Sequence, residues 1–511
     1  LAEDPNGAGA SENVRRRRLG RGLGYATRVQ VSAHQFMARR AAMAMTRRQT
    51  RMEAEPGRRE WMAVLAGLAS IAVGCILALI VSIIKPAGSA GSATIIADQD
   101  SNALYVRVDH TLYPVLNLAS ARLITGQATN PTRVRRSEID SMPKGAIVGI
   151  PGAPSHMTST EPDKSSWLVC DTVTKAYGAG APEPVVVTVL DGQPDLNDHR
   201  RVLDKPDGVL LRFGDDVWLI RDGRRSRVDA AQRPVLLALG VTGDDLAGAR
   251  PMSQALFNAI PVAPPLAVPS VPGAGNPAQF PGAPGPVGTV VSTPQVGGDS
   301  TYSVVVPTGM QTISPIVAQI LQNAGGMAGS IPVVPGSKLS ALPSVHVIDT
   351  SIYPDERLRV VDTQANPSTC WWWQKTVGEA KGQTSIVSGG SVPVPSGHAT
   401  VKMVNATKNP NQAAEVYFGP GYANYVVSTG NDATASTTEA LWWVSESGAR
   451  FGVQRDQETE RALGLTTPPR PAPWAVLRLL PAGPMLSRAD AEIRHDTLPF
   501  DSNPGLLEMP K

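Results

Sequence analysis

Few residues in this 511-residue chain are placed for chemistry. It holds three cysteines, Cys75, Cys170 and Cys370, and a thiol can serve as nucleophile, metal ligand or half of a disulfide according to its surroundings. Trp371, Trp372 and Trp373 follow the last cysteine directly; such a run is either a stacking platform for a sugar or peptide or core packing beside a cystine, and packing is the commoner use. The seven histidines, at positions 34, 110, 156, 199, 346, 398 and 495, are too scattered to form a metal site by spacing. There is no G-x-x-x-x-G-K-[ST] phosphate loop, G-x-S-x-G elbow, C-x-x-C or H-E-x-x-H. The residues thus give no positive argument for an enzyme, and no metal or cofactor is expected.

The stretch that assigns these cysteines to compartments is 61–84, WMAVLAGLASIAVGCILALIVSII, which carries no ionisable group but the Cys75 thiol. As a helix its 24 residues reach about 36 Å, enough to cross a hydrocarbon core roughly 30 Å thick with some tilt. Sixty residues precede it, and it is longer than the apolar region of a signal peptide, so a membrane span is expected. The overall charge of +3 hides an asymmetry: residues 1–60 carry 13 arginines, no lysine and 6 acids, net +7, and the remainder is net −4. The positive-inside rule places the arginine-rich arm in the cytoplasm and the 427 residues after Ile84 outside, a single-pass chain with its N-terminus in. Cys75 then lies in the membrane as a small apolar residue. Cys170 and Cys370 share the compartment in which disulfides persist.

Within the arm, Ser32 and Gln35 have the spacing of a capping box, predicting a helix over 32–55 that Pro56-Gly57 stops. Phe36, Met43 and Ala44 are expected on an apolar face and Arg40, Arg47 and Arg51 on a basic one. Such a helix either lies on anionic lipid or docks a cytoplasmic or membrane partner. Beside a membrane, Arg15 to Arg18 enforce topology or meet lipid, and nucleic acid is not expected as a partner.

Outside, four segments share one layout of strand, turn, strand and helix closing on glycine: 104–126, 217–240, 301–325 and 441–464. In the second, Asp222-Gly223 suits a tight hairpin, Asp229 a helix cap and Gly240 a helix stop. Ser137 and Pro143 match Ser337 and Pro343 at an offset of 200, as Cys170 matches Cys370, and Ala255 and Pro261 match Ala475 and Pro481 at an offset of 220. The fold expected is an elongated, β-rich α+β exterior in which four ββα-like repeats surround a central β core, built as a pseudo-twofold internal duplication. Its halves are 85–260 and 289–511, joined by an extended Pro/Gly-rich connector over 261–288. Equivalent cysteines near such an axis can bond across it, so a Cys170–Cys370 disulfide is expected.

Several motifs carry a family resemblance: Gln30-Val-Ser-Ala-His-Gln-Phe36, Gly149-Ile-Pro-Gly-Ala-Pro154, Val169-Cys-Asp171, Cys370-Trp-Trp-Trp373, Ala449-Arg-Phe-Gly-Val453, and 472–484 with Leu486-Ser-Arg-Ala-Asp490. Across nearly the whole chain the sequence resembles EccB, a core membrane component of mycobacterial type VII (ESX) secretion systems, and within that family the subtype exporting PE and PPE proteins. The resemblance implies an inner-membrane subunit whose periplasmic domain assembles with other EccB copies, the EccC ATPase, EccD and EccE, with a mycosin protease nearby. Family members have also been described as ATPases, for which this sequence offers no phosphate-binding motif. The function expected is therefore structural, in a secretion machine; a membrane-anchored wall-binding module and a periplasmic hydrolase or ATPase are the alternatives.

Overall fold

The computed structural model describes residues 27–47, 56–84, 88–174, 183–295, 297–298, 300–325, 330–405, 409, 411–499 and 504–505. The chain forms two compact units, Leu1–Ala87 and Gly88–Lys511.

In the first unit the arm helix spans Arg28–Arg47, starting one turn earlier than the sequence suggested. Two S/T-x-x-Q signals overlap here, and the earlier one acts: Thr27 donates its N–H to Gln30 Oε1 at 3.1 Å, and its carbonyl accepts from Val31 N. Ser32 lies inside the helix, its hydroxyl bonded back to Val29 O. Residues 48–55, where the expected helix was to end, fall outside the described residues. Pro56-Gly57 opens the next helix, Pro56–Ile84. Proline has no N–H to lose in a first helical turn. Trp61–Ile80 is the one candidate membrane span among the described residues, exposed along its whole length.

The second unit is built on a seven-stranded sheet in the order Val401–Lys402, Glu415–Phe418, Val185–Asp191, Lys164–Val173, Ser368–Thr376, Gln383–Gly389, Arg200–Val202. All neighbours are antiparallel except Glu415–Phe418 beside Val185–Asp191. Four small sheets flank it. Each begins with three consecutive antiparallel strands, the first of which is Ile95–Asp98, Asp207–Phe213, Val290–Pro294 or Tyr425–Thr429. A helix follows each set: Leu118–Thr125, Arg233–Leu239, Pro315–Ala324 and Gln457–Leu463. In three of the sheets a parallel strand joins the first strand; in the third sheet Val333 bridges Ser292 instead. The turn chemistry of the second sheet is as its residues dictate: Asp222 and Gly223 both take positive φ, 49° and 69°, and Gly240 ends its helix at φ 78°. Asp229 is not the cap. Its carboxylate accepts from Ala231 N in the preceding turn, and the helix begins at Arg233 with Pro234 in its first turn.

One detail recurs in all four sheets. The third strand would leave an open edge, but a proline-bearing segment returns to cover it. Leu112 N donates to Pro143 O, Arg225 N to Pro261 O, Met310 N to Pro343 O and Arg450 N to Pro481 O, at 2.7–2.9 Å. Two residues after each proline the chain donates back, from Gly145, Ala263, Val345 and Gly483. Proline itself can only accept. The two proline pairs matched at offsets of 200 and 220 thus perform one task.

The 261–288 segment is not the extended connector expected from its composition. Leu266, Val271 and Val287 are buried in a core shared by the second and third sheets, and Phe280 in a smaller one beside the third. Paired amides fold the segment back, with Gly275 N on Val287 O and Val287 N on Asn276 O. Burying those widely spaced apolar side chains outweighs the extended preference of the prolines. Arg233–Leu239 packs on Pro315–Ala324, and Leu118–Thr125 on Gln457–Leu463, so the middle two sheets form one lobe and the first and last another.

Gly309 tests the proline contact: a Cβ there would stand 2.4 Å from Pro343 O, whereas one at Gly243 meets nothing within 4 Å. Gly309→Ala should cost about 1–3 kcal/mol in denaturant unfolding, and Gly243→Ala should be neutral or slightly stabilising.

Candidate functional site

Cys170 and Cys370 form a disulfide between strands Lys164–Val173 and Ser368–Thr376, with Cα atoms 3.9 Å apart. The register sets Cys370 directly opposite Cys170 and Trp373 opposite Trp167. Val173 N donates to Pro367 O and Val377 N to Asp163 O, which fixes the alternation of the ladder and puts the cysteines at a non-hydrogen-bonded pair, where antiparallel strands approach most closely. Both sulfurs are shielded from solvent.

Side chains alternate across this strand pair, so the three consecutive tryptophans divide between two faces. Trp371 and Trp373 join Trp167, Val169 and Ile386 in the largest core, roofed by the helices Gln254–Ala259 and Trp474–Leu477. Trp372 lies on the opposite face with the cystine, Leu168, Leu190, Val387 and Tyr417, its indole N–H on Ser166 Oγ at 3.0 Å. All three are buried, which rules out the stacking platform and leaves packing as their role.

At the margin of the largest core two half-buried arginines are held over aromatic rings. Arg225 lies 3.9 Å from the Phe257 ring centroid and 5.5 Å from that of Trp218; Arg450 lies 4.5 Å from Trp442 and 5.1 Å from Trp474. Each guanidinium also donates to the carbonyl just before a covering proline, Ile260 O or Leu480 O. Hairpin, central helix and proline segment are thereby joined at one cation, an arrangement that burial and the ring quadrupole support. Sequence reasoning passed over these arginines because their aromatic partners on the central helices lie 24 residues or more along the chain.

Two carboxyls are fully buried at the margins of the same face. Asp171 accepts from Ser253 N at 2.6 Å and Ser253 Oγ at 2.7 Å, anchoring the start of Gln254–Ala259. Burial pushes the Asp171 carboxyl up to about 7 against the opposing pull of those bonds. Asp191 accepts from Ala423 N, and burial raises it well above the usual carboxylate range. Among the described residues no three His, Cys, Asp or Glu side chains gather as metal ligands. The charged residues lining the roughly 500 Å³ hollow beside Gln457–Leu463 include Arg488, already paired with Glu458 and Glu492.

The arm helix arranges its residues differently from the two faces expected. Phe36, Arg40, Met43 and Arg47 are spaced by four, three and four, which at 100° per residue puts them on one stripe. Phe36 is 47% exposed and Arg40 is also exposed, while Met43 is half-buried. Arg51 lies outside the described residues. The stripe alternates apolar and cationic groups, because steps of three and four both return to one side of a helix.

Two outcomes follow from the cystine and its neighbour. Cys170→Ser should lower unfolding free energy by about 2–5 kcal/mol in denaturant titrations, through release of a 200-residue loop. Asp171 keeps its proton in the folded chain to about 7, whereas the unfolded chain loses it near 4, so folding stability falls as pH rises through that window. Asp171→Asn should therefore gain on the parent from about pH 4 to 7 and hold a constant difference above, as read by melting temperature against pH.

Residues 23–500 match the family model for "Type VII secretion system ESX-1, transport TM domain B". A Mycobacterium tuberculosis H37Rv protein named "ESX-5 secretion system ATPase EccB5" is 54% identical over 505 residues, covering 98% of this chain and all of the relative. The Mycolicibacterium smegmatis "ESX-3 secretion system ATPase EccB3" is 39% identical over 494 residues, 95% of this chain and 94% of the relative. Among solved structures, a chain of the "intact ESX-5 inner membrane complex" superposes with a TM-score of 0.76 at 52% identity, covering 96% of this chain and all of that one. A chain of the "EccB3 dimer from the ESX-3 core complex" gives 0.69 at 37% identity, over 78% of this chain and all of that one. A candidate membrane helix, a β-rich unit pinned by one cystine and matches that run nearly end to end establish that this chain belongs to the EccB family of type VII (ESX) secretion systems.

Proposed function

We infer that this chain is a structural subunit of an ESX inner membrane complex of the ESX-5 kind, contributing to its periplasmic assembly. The observation that carries the reading is the superposition on a chain of the intact ESX-5 inner membrane complex over 96% of the sequence. The arginine-rich arm, residues 1–60, faces the cytoplasm and the unit from Gly88 onward the periplasm, on the strength of the charge asymmetry across the membrane helix. The partners are other EccB copies, the EccC ATPase, EccD and EccE, with a mycosin protease on the periplasmic side. We assign assembly rather than ATP hydrolysis, since the sequence has no phosphate loop.

The exterior arose by duplication of a two-repeat half. The shared register of Cys170 and Cys370 and the four proline contacts support that descent. The stripe of Phe36, Arg40, Met43 and Arg47, together with Arg51 outside the described residues, is the docking element for the membrane partners, where paired charge and apolar contact give register.

Detergent extraction of the tagged chain should recover EccC and EccD. Reversing charge at Arg40, Arg47 and Arg51 should leave membrane insertion intact and lower that recovery several-fold, as a set of interfacial charge pairs does when broken. Undiminished recovery would reassign the helix to the lipid surface, and recovery of no ESX subunit by the parent chain would overturn the reading itself.

A further inference from the structure

The helices Gln254–Ala259 and Trp474–Leu477 roof one face of the central sheet. Among the described residues no helix roofs the face with the cystine. Above Leu168, Trp372 and the disulfide run two loops, 192–199 after Val185–Asp191 and 390–400 after Gln383–Gly389, with Val392 and Val394 packed on the cluster. The loops touch through Asp195 N on Pro393 O at 3.0 Å and Gly390 N on His199 O at 3.1 Å. One side chain ties them down. Arg200 donates from Nη1 to Val392 O at 3.1 Å and Val394 O at 2.8 Å, and from Nη2 to Asp195 Oδ2 at 2.7 Å, with its side chain 13% exposed.

Opening this cover breaks a few hydrogen bonds and exposes Val392, Val394 and the small cluster beneath them, whereas separating the strands dismantles the sheet. Local openings of the first kind occur far more often than global unfolding. We propose that Val392, Pro393 and Val394 form a latch, held by Arg200, that controls access of a dithiol reductant to the Cys170–Cys370 bond. With the latch open, one thiolate of the reductant attacks a cystine sulfur. The S–S bond breaks, the departing cysteine takes the electron pair as thiolate, and a mixed disulfide remains. The reductant's second thiol then attacks its own sulfur in that mixed disulfide and releases the other cysteine. The dithiol leaves as a cyclic disulfide, and its two protons end on Cys170 and Cys370. The strand ladder stays paired throughout, so reduction removes the covalent closure of residues 171–369 without dissolving the sheet.

The test uses the full chain in detergent with dithiothreitol as the dithiol, following free thiols by alkylation and mass in native buffer. Arg200→Ala should accelerate reduction by at least about tenfold, as loss of a charged hydrogen-bonding group implies, with reduction still faster than global unfolding of the oxidised variant. Val394→Ser, which loosens the cover and leaves Arg200 in place, should also accelerate it, and keeps the test available if Arg200→Ala does not fold. Amide exchange at Asp195, whose N–H crosses between the loops, should quicken in parallel. Reduction of both variants at the parent's rate overturns the proposal. So does reduction of parent and variants that tracks their global unfolding rates measured in the same buffer.

Discussion

The exterior depends on one antiparallel pairing, Lys164–Val173 against Ser368–Thr376. These strands are about two hundred residues apart in sequence, so closing them is entropically unfavourable in an unfolded chain. Once they pair, each further element has something to build on: Val185–Asp191 and Gln383–Gly389 add on either side, and the two short helices settle over Trp167, Trp371 and Trp373. The cystine makes that first contact covalent. Its position at a non-hydrogen-bonded pair lets it do so without displacing a ladder bond.

The second and fourth flanking sheets pack into the core over the central sheet, through Val209, Leu211 and Ile220 and through Val426, Val444 and Ala472, and the third and first attach to them through paired helices. Their lobes group first with last and second with third, so the chain leaves the central sheet for two consecutive units and returns before completing the lobe it began. Asp207 marks one such crossing. Its buried carboxylate is held by Arg201 on the edge strand of the central sheet and by Arg359 on the strand returning from the third unit. That pairing holds its carboxyl below the usual range despite burial, which lets the charge serve as a fixed joint between segments otherwise distant in sequence.

Some of this could be read from residue types because the cause was local. An uninterrupted apolar run can only be a membrane or core helix, Asp222-Gly223 favours positive φ, and two cysteines in equivalent settings outside a membrane point to each other. The first strand of each flanking sheet escaped notice for an equally physical reason. Ile95–Asp98 and Tyr425–Thr429 are buried along their whole length, so they lack the alternation that marks a half-buried strand. In 261–288 the prolines and glycines hid Leu266, Val271, Phe280 and Val287, whose spacing has no period because an irregular path carries the first two and the last into one core and Phe280 into another. The site was legible in its cysteines and illegible in its guard: Arg200 meets Val392 and Val394 across more than 190 residues, a contact that leaves no trace in local pattern.

A membrane complex transmits force between its subunits, and the cystine decides how this chain carries tension. A pull between Gly88 and the last described residues would otherwise pass along every residue between them. With Cys170 bonded to Cys370, force crosses the sulfurs and bypasses residues 171–369, which include the whole lobe of the second and third sheets. At about 3.4 Å per extended residue, roughly 700 Å of slack chain is held out of the line of force. The bypassed lobe stays off the tensioned path, anchored to the central core by Val209, Leu211 and Ile220, while the strained segment stays short.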